Sequence, residues 1–264
     1  MSIDYTGTTA LVTGASSGLG AEFARQLAAR GADLVLVARR RDRLESVADE
    51  VRATGRTVTV IAADLSAPDA VADLAEDLAR REIRISTLVN NAGFGTRNHF
   101  ENEDPARISD EVTLNVGAVV SLTQAFYDQL QSNDRGALIN IASTAAYQPV
   151  PLMAVYGATK AFVLSFTEAL WFENKDRGLG VLCLSPGATA TEFFDVAGAG
   201  ARVGQFKTSR EVVALALRTL DRRNPPPSVI SGRRNTVSAW ASRLLSRRTV
   251  VNTVGAMTRR NPVE

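Results

Sequence analysis

Seven short apolar runs, rich in β-branched residues, alternate with helical stretches along this chain, and that alternation constrains its fold more than any other feature. The runs are Thr9–Val12, Asp33–Ala38, Val58–Ala62, Thr87–Asn90, Ala137–Ala142, Val181–Ser185 and Ser228–Ser231. Several are nearly continuous in apolar character, as parallel strands covered on both faces must be. Between the first two, Leu19, Phe23 and Leu27 fall on one helical stripe, and Gly31 sits where a helix ends. Helical spacing also covers about residues 68–81, 106–131, 156–175 and 210–222. Strands that alternate with helices predict an α/β fold, a doubly wound parallel sheet with helices on both faces. No repeat or linker divides the chain. Asn224-Pro225-Pro226-Pro227 breaks a helix, but the strand after it continues the alternation, so one domain over residues 1–264 is expected.

Directly after the first strand comes Thr13-Gly14-Ala15-Ser16-Ser17-Gly18-Leu19-Gly20, opening the first helix. Gly14 suits a tight turn, Gly18 admits a close backbone approach to a pyrophosphate, and Gly20 permits close helix–strand packing. The helix N-terminus offers unpaired N–H groups and a positive dipole end to an anion. Glycines also make plain turns, but a turn between strand and helix at this point reads as a dinucleotide cradle. The second strand ends Ala38-Arg39-Arg40-Arg41, with no carboxylate before Asp42. An acid here would grip a ribose 2′-hydroxyl, whereas a guanidinium pairs with a 2′-phosphate. NADP(H) is therefore expected, held mainly by Arg39 with Arg40. The alternative is a solvated basic run at a helix start.

Chemistry is expected further along, at Ser143, Tyr156 and Lys160. Tyrosine and lysine at i and i+4 share one helical face. A free tyrosine titrates near 10. An ammonium about 4 Å away, at an effective dielectric of about 20, favours the phenolate by roughly 4 kcal/mol. That is enough to lower the pKa by up to roughly 3. Lysine occurs only at 160, 175 and 207, so its presence here is notable. Ser143 ends the fifth strand, on the carboxyl edge where open α/β sheets build their sites. Nothing near it in sequence is a base that would make it a nucleophile, which argues against a hydrolase. Asn115 falls mid-helix, where asparagine is unfavourable without a reason.

Taken together, the Gly-x-x-x-Gly-x-Gly turn, Asn90-Asn91-Ala92-Gly93, Ser143, Tyr156-Gly157-Ala158-Thr159-Lys160 and Pro186-Gly187-Ala188-Thr189-Ala190-Thr191 resemble the classical short-chain dehydrogenase/reductase family over about residues 8–192. The resemblance implies a Rossmann-type single domain and direct hydride transfer between nicotinamide and a carbonyl or secondary alcohol carbon. It assigns Asn115, Ser143, Tyr156 and Lys160 to catalysis, with Asn115 supporting a proton relay. It assigns the cofactor to Gly14, Ser16, Ser17, Gly18, Leu19, Gly20, Arg39, Arg40, Asp64, Leu65, Asn91, Ala92, Gly93, Tyr156, Lys160, Pro186, Gly187, Thr189 and Thr191. Asp64 and Leu65 would meet the adenine edge, while Pro186 to Thr191 would fix the nicotinamide carboxamide. Some NADP-preferring relatives carry a basic residue where this chain has Ser17. The family also implies a homodimer or homotetramer. A non-catalytic NADP-binding sensor on the same fold is the alternative. An extended-type epimerase fits less well, because its Gly-x-x-Gly-x-x-Gly spacing is missing.

Other readings narrow the function. The net charge is only +2, which gives nucleic-acid binding no electrostatic support. A single cysteine, Cys183, excludes an internal disulfide and lies in an apolar strand. The one histidine, His99, has no ligand cluster around it, so no metal site is expected. No apolar run approaches the roughly 20 residues of a membrane span, and the first residues do not read as a signal peptide, so a cytoplasmic protein is expected. Phe94, Ala145, Ala146, Val150, Leu152, Met153, Phe193 and Phe194 suggest an apolar substrate such as a 3-oxoacyl, steroid-like or aromatic ketone. Ala197-Gly198-Ala199-Gly200 suggests a lid between about 192 and 210. In the basic segment of about 235–264, Val237, Trp240, Leu244 and Leu245 form one helical face. That face suggests packing against the domain or a second subunit, or, as the alternative, contact with an anionic membrane.

Overall fold

The computed structural model describes residues 3–132, 136–189 and 207–258. Its seven strands are β1 (Thr9–Thr13), β2 (Asp33–Ala38), β3 (Val58–Ala62), β4 (Thr87–Asn90), β5 (Ala137–Ile141), β6 (Gly180–Ser185) and β7 (Ser228–Ile230). They form one sheet in the order β3-β2-β1-β4-β5-β6-β7, every neighbouring pair parallel. Winding runs outward from β1 to β3, then reverses from β4 to β7. The reversal leaves a crevice between β1 and β4 at their carboxyl ends, where sheets of this kind bind ligands.

Alternation along each strand builds the two layers. On β2, Leu34 and Leu36 pack with Phe23 and Leu27 of α1 (Gly18–Ala28) and Leu44 of α2 (Arg41–Arg52). Val35 and Val37 face the other way, towards Leu74 and Leu78 of α3 (Ala70–Arg80). Leu122 and Phe126, on α5 (Ala118–Gln131), complete that layer. Each such side chain contributes about 1.5–3 kcal/mol on burial. The sequence reading missed α2, which is charged along most of its length and buries only Leu44, Val47, Ala48 and Val51.

The stretch read as one helix over 106–131 is α4 (Pro105–Val112), a π-helical turn at Thr113–Gly117, and α5. Such turns recur at functional sites, and this one contains Asn115. Helix α6 spans Ala154–Glu173 and α7 spans Ser209–Leu220. The basic C-terminal segment forms α8 (Arg233–Leu244) and α9 (Arg247–Thr258).

The apolar face does not pack against its own domain, the first of the arrangements expected of it. Val237, Trp240, Leu244 and Leu245 are exposed at 68%, 62%, 85% and 51%, while Ala239 and Ser242 are buried. Helix α8 approaches the domain through these small residues, and the Ser242 hydroxyl donates to the Tyr147 carbonyl at 3.1 Å. Bulkier side chains on that face would hold the two segments apart. Among the described residues, no helix is long and apolar enough to cross a membrane, and no His, Cys, Asp and Glu cluster is arranged to hold a metal.

Candidate active site

A cleft of about 690 Å³ follows the carboxyl edge of the sheet. At one end lies the glycine loop. Gly14 has φ +64, and a Cβ there would stand 2.8 Å from the Asn91 side-chain amide and 3.0 Å from the Ala92 Cα. Gly18 also takes positive φ, at +55. A Cβ on Gly20 would collide with the Gly14 carbonyl, so Gly20 serves packing behind the loop rather than the cleft surface. Helix α1 starts with Ser17 as N-cap but without a side-chain cap, leaving its first amides available to a ligand. This cradle suits a pyrophosphate, because the backbone stands open where any side chain would fill it.

Asn91 does structural work besides lining the cleft. Its side-chain amide donates to the carbonyls of Thr13 (2.9 Å) and Gly14 (3.3 Å), and its backbone amide donates to the Thr13 hydroxyl at 2.9 Å. It ties the glycine loop to the end of β4 while still lining the cleft with Ala92 and Gly93. Asn90 is fully enclosed, donating to Asn140 at 2.9 Å and Thr123 at 3.1 Å. Asn140 in turn donates to Thr167 at 2.9 Å. This amide row binds β4 and β5 to the helices beneath them. Asn140 carried no motif by which the sequence could have revealed it.

At the rim, Arg40 donates to the hydroxyls of Ser16 (3.2 Å) and Ser17 (3.4 Å). Arg39 is 71% exposed in its side chain and stands 3.9 Å from Asp64. Burial pushes the Asp64 carboxyl up, but the Ser66 hydroxyl and amide, with Arg39, outweigh it and hold it below the ordinary carboxylate range. Two guanidiniums and two hydroxyls therefore surround the space beside the loop, and Leu19, Asp64 and Leu65 line the adjoining wall.

At the other end, Ser143 follows β5 and its hydroxyl accepts from the Ala145 amide at 3.1 Å. It also hydrogen-bonds Tyr156. Lys160 lies one turn along α6 and donates from Nζ to the Ile141 carbonyl at 3.0 Å. Its Nζ is 5.8 Å from the Tyr156 ring centre. The expected fall in the tyrosine pKa is not what the structure gives. Burial pushes the Tyr156 phenol up to about 12, opposed by the Ser143 bond and reinforced by the charge of Glu111. Burial likewise pulls Lys160 down to about 8, partly countered by Cys183 and Glu111. Desolvation outweighs the attraction that the isolated pair suggested.

Asn115 is fully buried behind Gly93 and does not line the cleft. Its side chain accepts from the Phe94 amide at 3.1 Å and donates to the Phe94 carbonyl at 2.8 Å and the Thr159 hydroxyl at 3.1 Å. Beyond β6, Pro186, Gly187 and Thr189 line the cleft; Thr191, Phe193, Phe194 and the proposed lid lie outside the described residues. Of the expected substrate wall, Phe94, Ala145, Val150 and Met153 line the cleft. Ala146 and Leu152 do not. Sequence reasoning missed Arg97, Arg107, Asn235, Val254, Met257 and Thr258, which also line it. Arg107 rests over the Phe94 ring at 4.7 Å from its centre. None of these belongs to a local motif.

These features define a Rossmann-type dinucleotide-binding fold with Ser143, Tyr156 and Lys160 gathered at one end of its cleft. The profile of the short chain dehydrogenase family matches residues 8–201, and the chain belongs to that family. It is 38% identical over 189 residues to human 17-beta-hydroxysteroid dehydrogenase type 3, covering 70% of this chain and 60% of that protein. It is 33% identical over 193 residues to bovine very-long-chain 3-oxoacyl-CoA reductase, covering 71% and 61%. The matched region thus spans about 60% of the length of these curated relatives. Among solved structures, a short-chain dehydrogenase from Sphingobium yanoikuyae in complex with NADPH superposes with a TM-score of 0.78. That pair is 35% identical and covers 90% of this chain and 94% of the other. A 7beta-hydroxysteroid dehydrogenase superposes with a TM-score of 0.85 at 26% identity, covering 97% and 100%.

Proposed function

We propose that the chain is an NADP(H)-dependent reductase of apolar ketones that carry an anionic group. The observation that carries this reading is the arrangement of one cleft, with the Arg40–Ser16–Ser17 cluster at one end and Ser143, Tyr156 and Lys160 at the other. The cradle of Gly14 and Gly18 holds the pyrophosphate, Arg40 and Arg39 hold the 2′-phosphate, and Pro186, Gly187 and Thr189 orient the nicotinamide end. When bound, the dinucleotide supplies the hydride. Ser143 orients the carbonyl oxygen, and Tyr156 gives it a proton. A phenol pushed up to about 12 is protonated at neutral pH, the state a reduction requires, but burial that raises it also makes it a weaker acid. Lys160 fixes the geometry from the Ile141 carbonyl and carries the charge from which Tyr156 is reprotonated.

The apolar walls of Phe94, Val150, Met153, Val254 and Met257 favour a hydrophobic body, and Arg97 and Arg107 beside them favour an anionic end. The human and bovine relatives, named for a hydroxysteroid and a 3-oxoacyl-CoA, are in keeping with a large apolar substrate. A shallow apolar hollow lined by Val112, Val116, Val155 and Ala158, with the exposed Val120 on α5 and Phe162 on α6, supports pairing with a second copy. The test follows NADPH oxidation over 3-oxoacyl thioesters, steroid ketones with and without a carboxylate, and neutral aryl ketones. Turnover is expected with the anionic members. Tyr156→Phe should lower it by about 10²–10⁴-fold while leaving NADPH affinity unchanged. Undiminished turnover in that variant refutes the assignment.

A further inference from the structure

Pro186, Gly187 and Ala188 follow β6, and a different part of the chain fixes each of them. The Thr144 amide, one residue past Ser143, donates to the Pro186 carbonyl at 2.9 Å. The Lys207 amide donates to the Ala188 carbonyl at 3.2 Å. Gly187, between them, is held by a side chain. A Cβ on Gly187 would collide with Asn235 Nδ2 and stand 3.1 Å from Asn235 Cγ. Gly187 does not take positive φ, so no left-handed backbone calls for glycine at this point. The close approach of Asn235 does.

Asn235 is itself held firmly. It lies in the first turn of α8, and its Nδ2 donates to the Ser231 carbonyl at 2.7 Å. A Cβ on Gly232 would stand 3.1 Å from that nitrogen. The Ser231 amide donates to the Ser185 carbonyl at 3.0 Å, which ties this corner back to the end of β6. To clear room beside Gly187, the Asn235 amide would have to leave Ser231. Asn235 also lines the cleft together with Pro186 and Gly187. Glycine has the widest backbone freedom of any residue, so at a binding surface it keeps one conformation only where its surroundings restrain it. The anchors on Pro186 and Ala188 are backbone amides. Asn235 is the one that a substitution can take away.

We propose that Asn235 is a positioning residue for the nicotinamide end of the cofactor, holding Gly187 in place for the ring; this rests on the reductase reading above. The cofactor site thereby extends into the C-terminal segment. With Asn235 present, the Pro186–Gly187 link is set before the dinucleotide arrives. Without it, binding must also order the glycine, and affinity falls. The glycine loop, Arg39 and Arg40 stand at the opposite end of the cleft. Loss of Asn235 is therefore felt by the nicotinamide half of the cofactor and not by the adenosine half.

The test titrates two ligands into the wild type and Asn235→Ala by calorimetry. One is NADPH; the other is adenosine 2′,5′-bisphosphate, which keeps the 2′-phosphate but has no nicotinamide. NADPH affinity should fall about fivefold to tenfold, the equivalent of one neutral hydrogen bond, while affinity for the bisphosphate is unchanged. Equal losses for both ligands, or no loss for either, overturn the proposal. A second readout places Gly187→Ala in both backgrounds. Alone, it should weaken NADPH about tenfold or more, because the new methyl meets the Asn235 amide. Added to Asn235→Ala, it should weaken NADPH by less than about twofold, because that space is free. The same loss in both backgrounds overturns the proposal, since something other than Asn235 would then require the glycine. Retained binding of the bisphosphate shows in each variant that the fold is intact. Neither readout needs a ketone. Wild-type protein that binds no NADPH overturns the reductase reading and this proposal with it. Wild-type protein that binds NADPH, with neither selective effect in the variants, overturns the proposal alone.

Discussion

Replacing Arg40 with alanine tests the choice of dinucleotide at its physical root. Arg40 holds its guanidinium against Ser16 and Ser17, beside the glycine loop, where the proposed reading puts the 2′-phosphate. At about 4 Å, opposite unit charges attract by about 1 kcal/mol in water and about 4 kcal/mol at an effective dielectric of about 20. Arg40 is exposed, so solvent screening moves the figure towards the lower bound. A charge-assisted hydrogen bond contributes about 1.5–3 kcal/mol. A loss of about 2 kcal/mol is therefore expected, which weakens NADPH binding about 30-fold. NADH, lacking the phosphate, should bind as before. Arg39→Ala should cost less, because its side chain is 71% exposed and partly committed to Asp64. Calorimetric titration of both dinucleotides at low and high salt measures this directly, and the NADPH preference should shrink as salt rises. If Arg40→Ala weakens NADH and NADPH equally, the residue supports the loop and not the phosphate. An unchanged Kd for NADPH refutes its role altogether.

Two further outcomes follow from the same geometry. Lys160 titrates near 8 in the folded protein against 10.5 ordinarily, so between those values the unfolded chain holds a proton that the folded chain has lost. Stability from this group is therefore full above about pH 10.5 and is lost as pH falls through 8, amounting to about 1 kcal/mol between pH 8 and 9. Relative to Lys160→Met, the wild-type Tm should rise by about 2–4 °C over that interval, and parallel Tm curves would contradict the shift. Ending the chain after Leu245 removes Val254, Met257 and Thr258 from the cleft wall. The KM for a bulky ketone should rise about tenfold, in line with about 1–3 kcal/mol for lost apolar contact. The Kd for NADPH should hold, because the loop that cradles it is untouched; an unchanged KM would exclude α9 from substrate binding.

How far the sequence revealed this site depends on how local each determinant is. The glycine loop was legible because strand, turn and helix are contiguous, and the positive φ of Gly14 and Gly18 accounts for the residue type. Tyr156 and Lys160 were legible because four residues of helix make one turn. Their titration was not, because the pairwise attraction is visible in the sequence whereas burial on every side is not. Arg39 and Arg40 are adjacent in sequence, and only the turn of backbone after β2 decides which one reaches Ser16. The π-helical turn at Thr113–Gly117 leaves no mark in a pattern of period 3.6, so Asn115 read as a misplaced residue in a regular helix. In α8 the usual inference was reversed. Large apolar side chains stayed outside because close contact with Tyr147 required Ala239 and Ser242. The same distinction explains Glu111. An acid four residues ahead of Asn115 is unexceptional on a helix that presents Asp104, Asp110 and Glu103 nearby. Only the loop returning through Thr96 encloses it, and that enclosure, not its neighbours in sequence, pushes its carboxyl above the ordinary range.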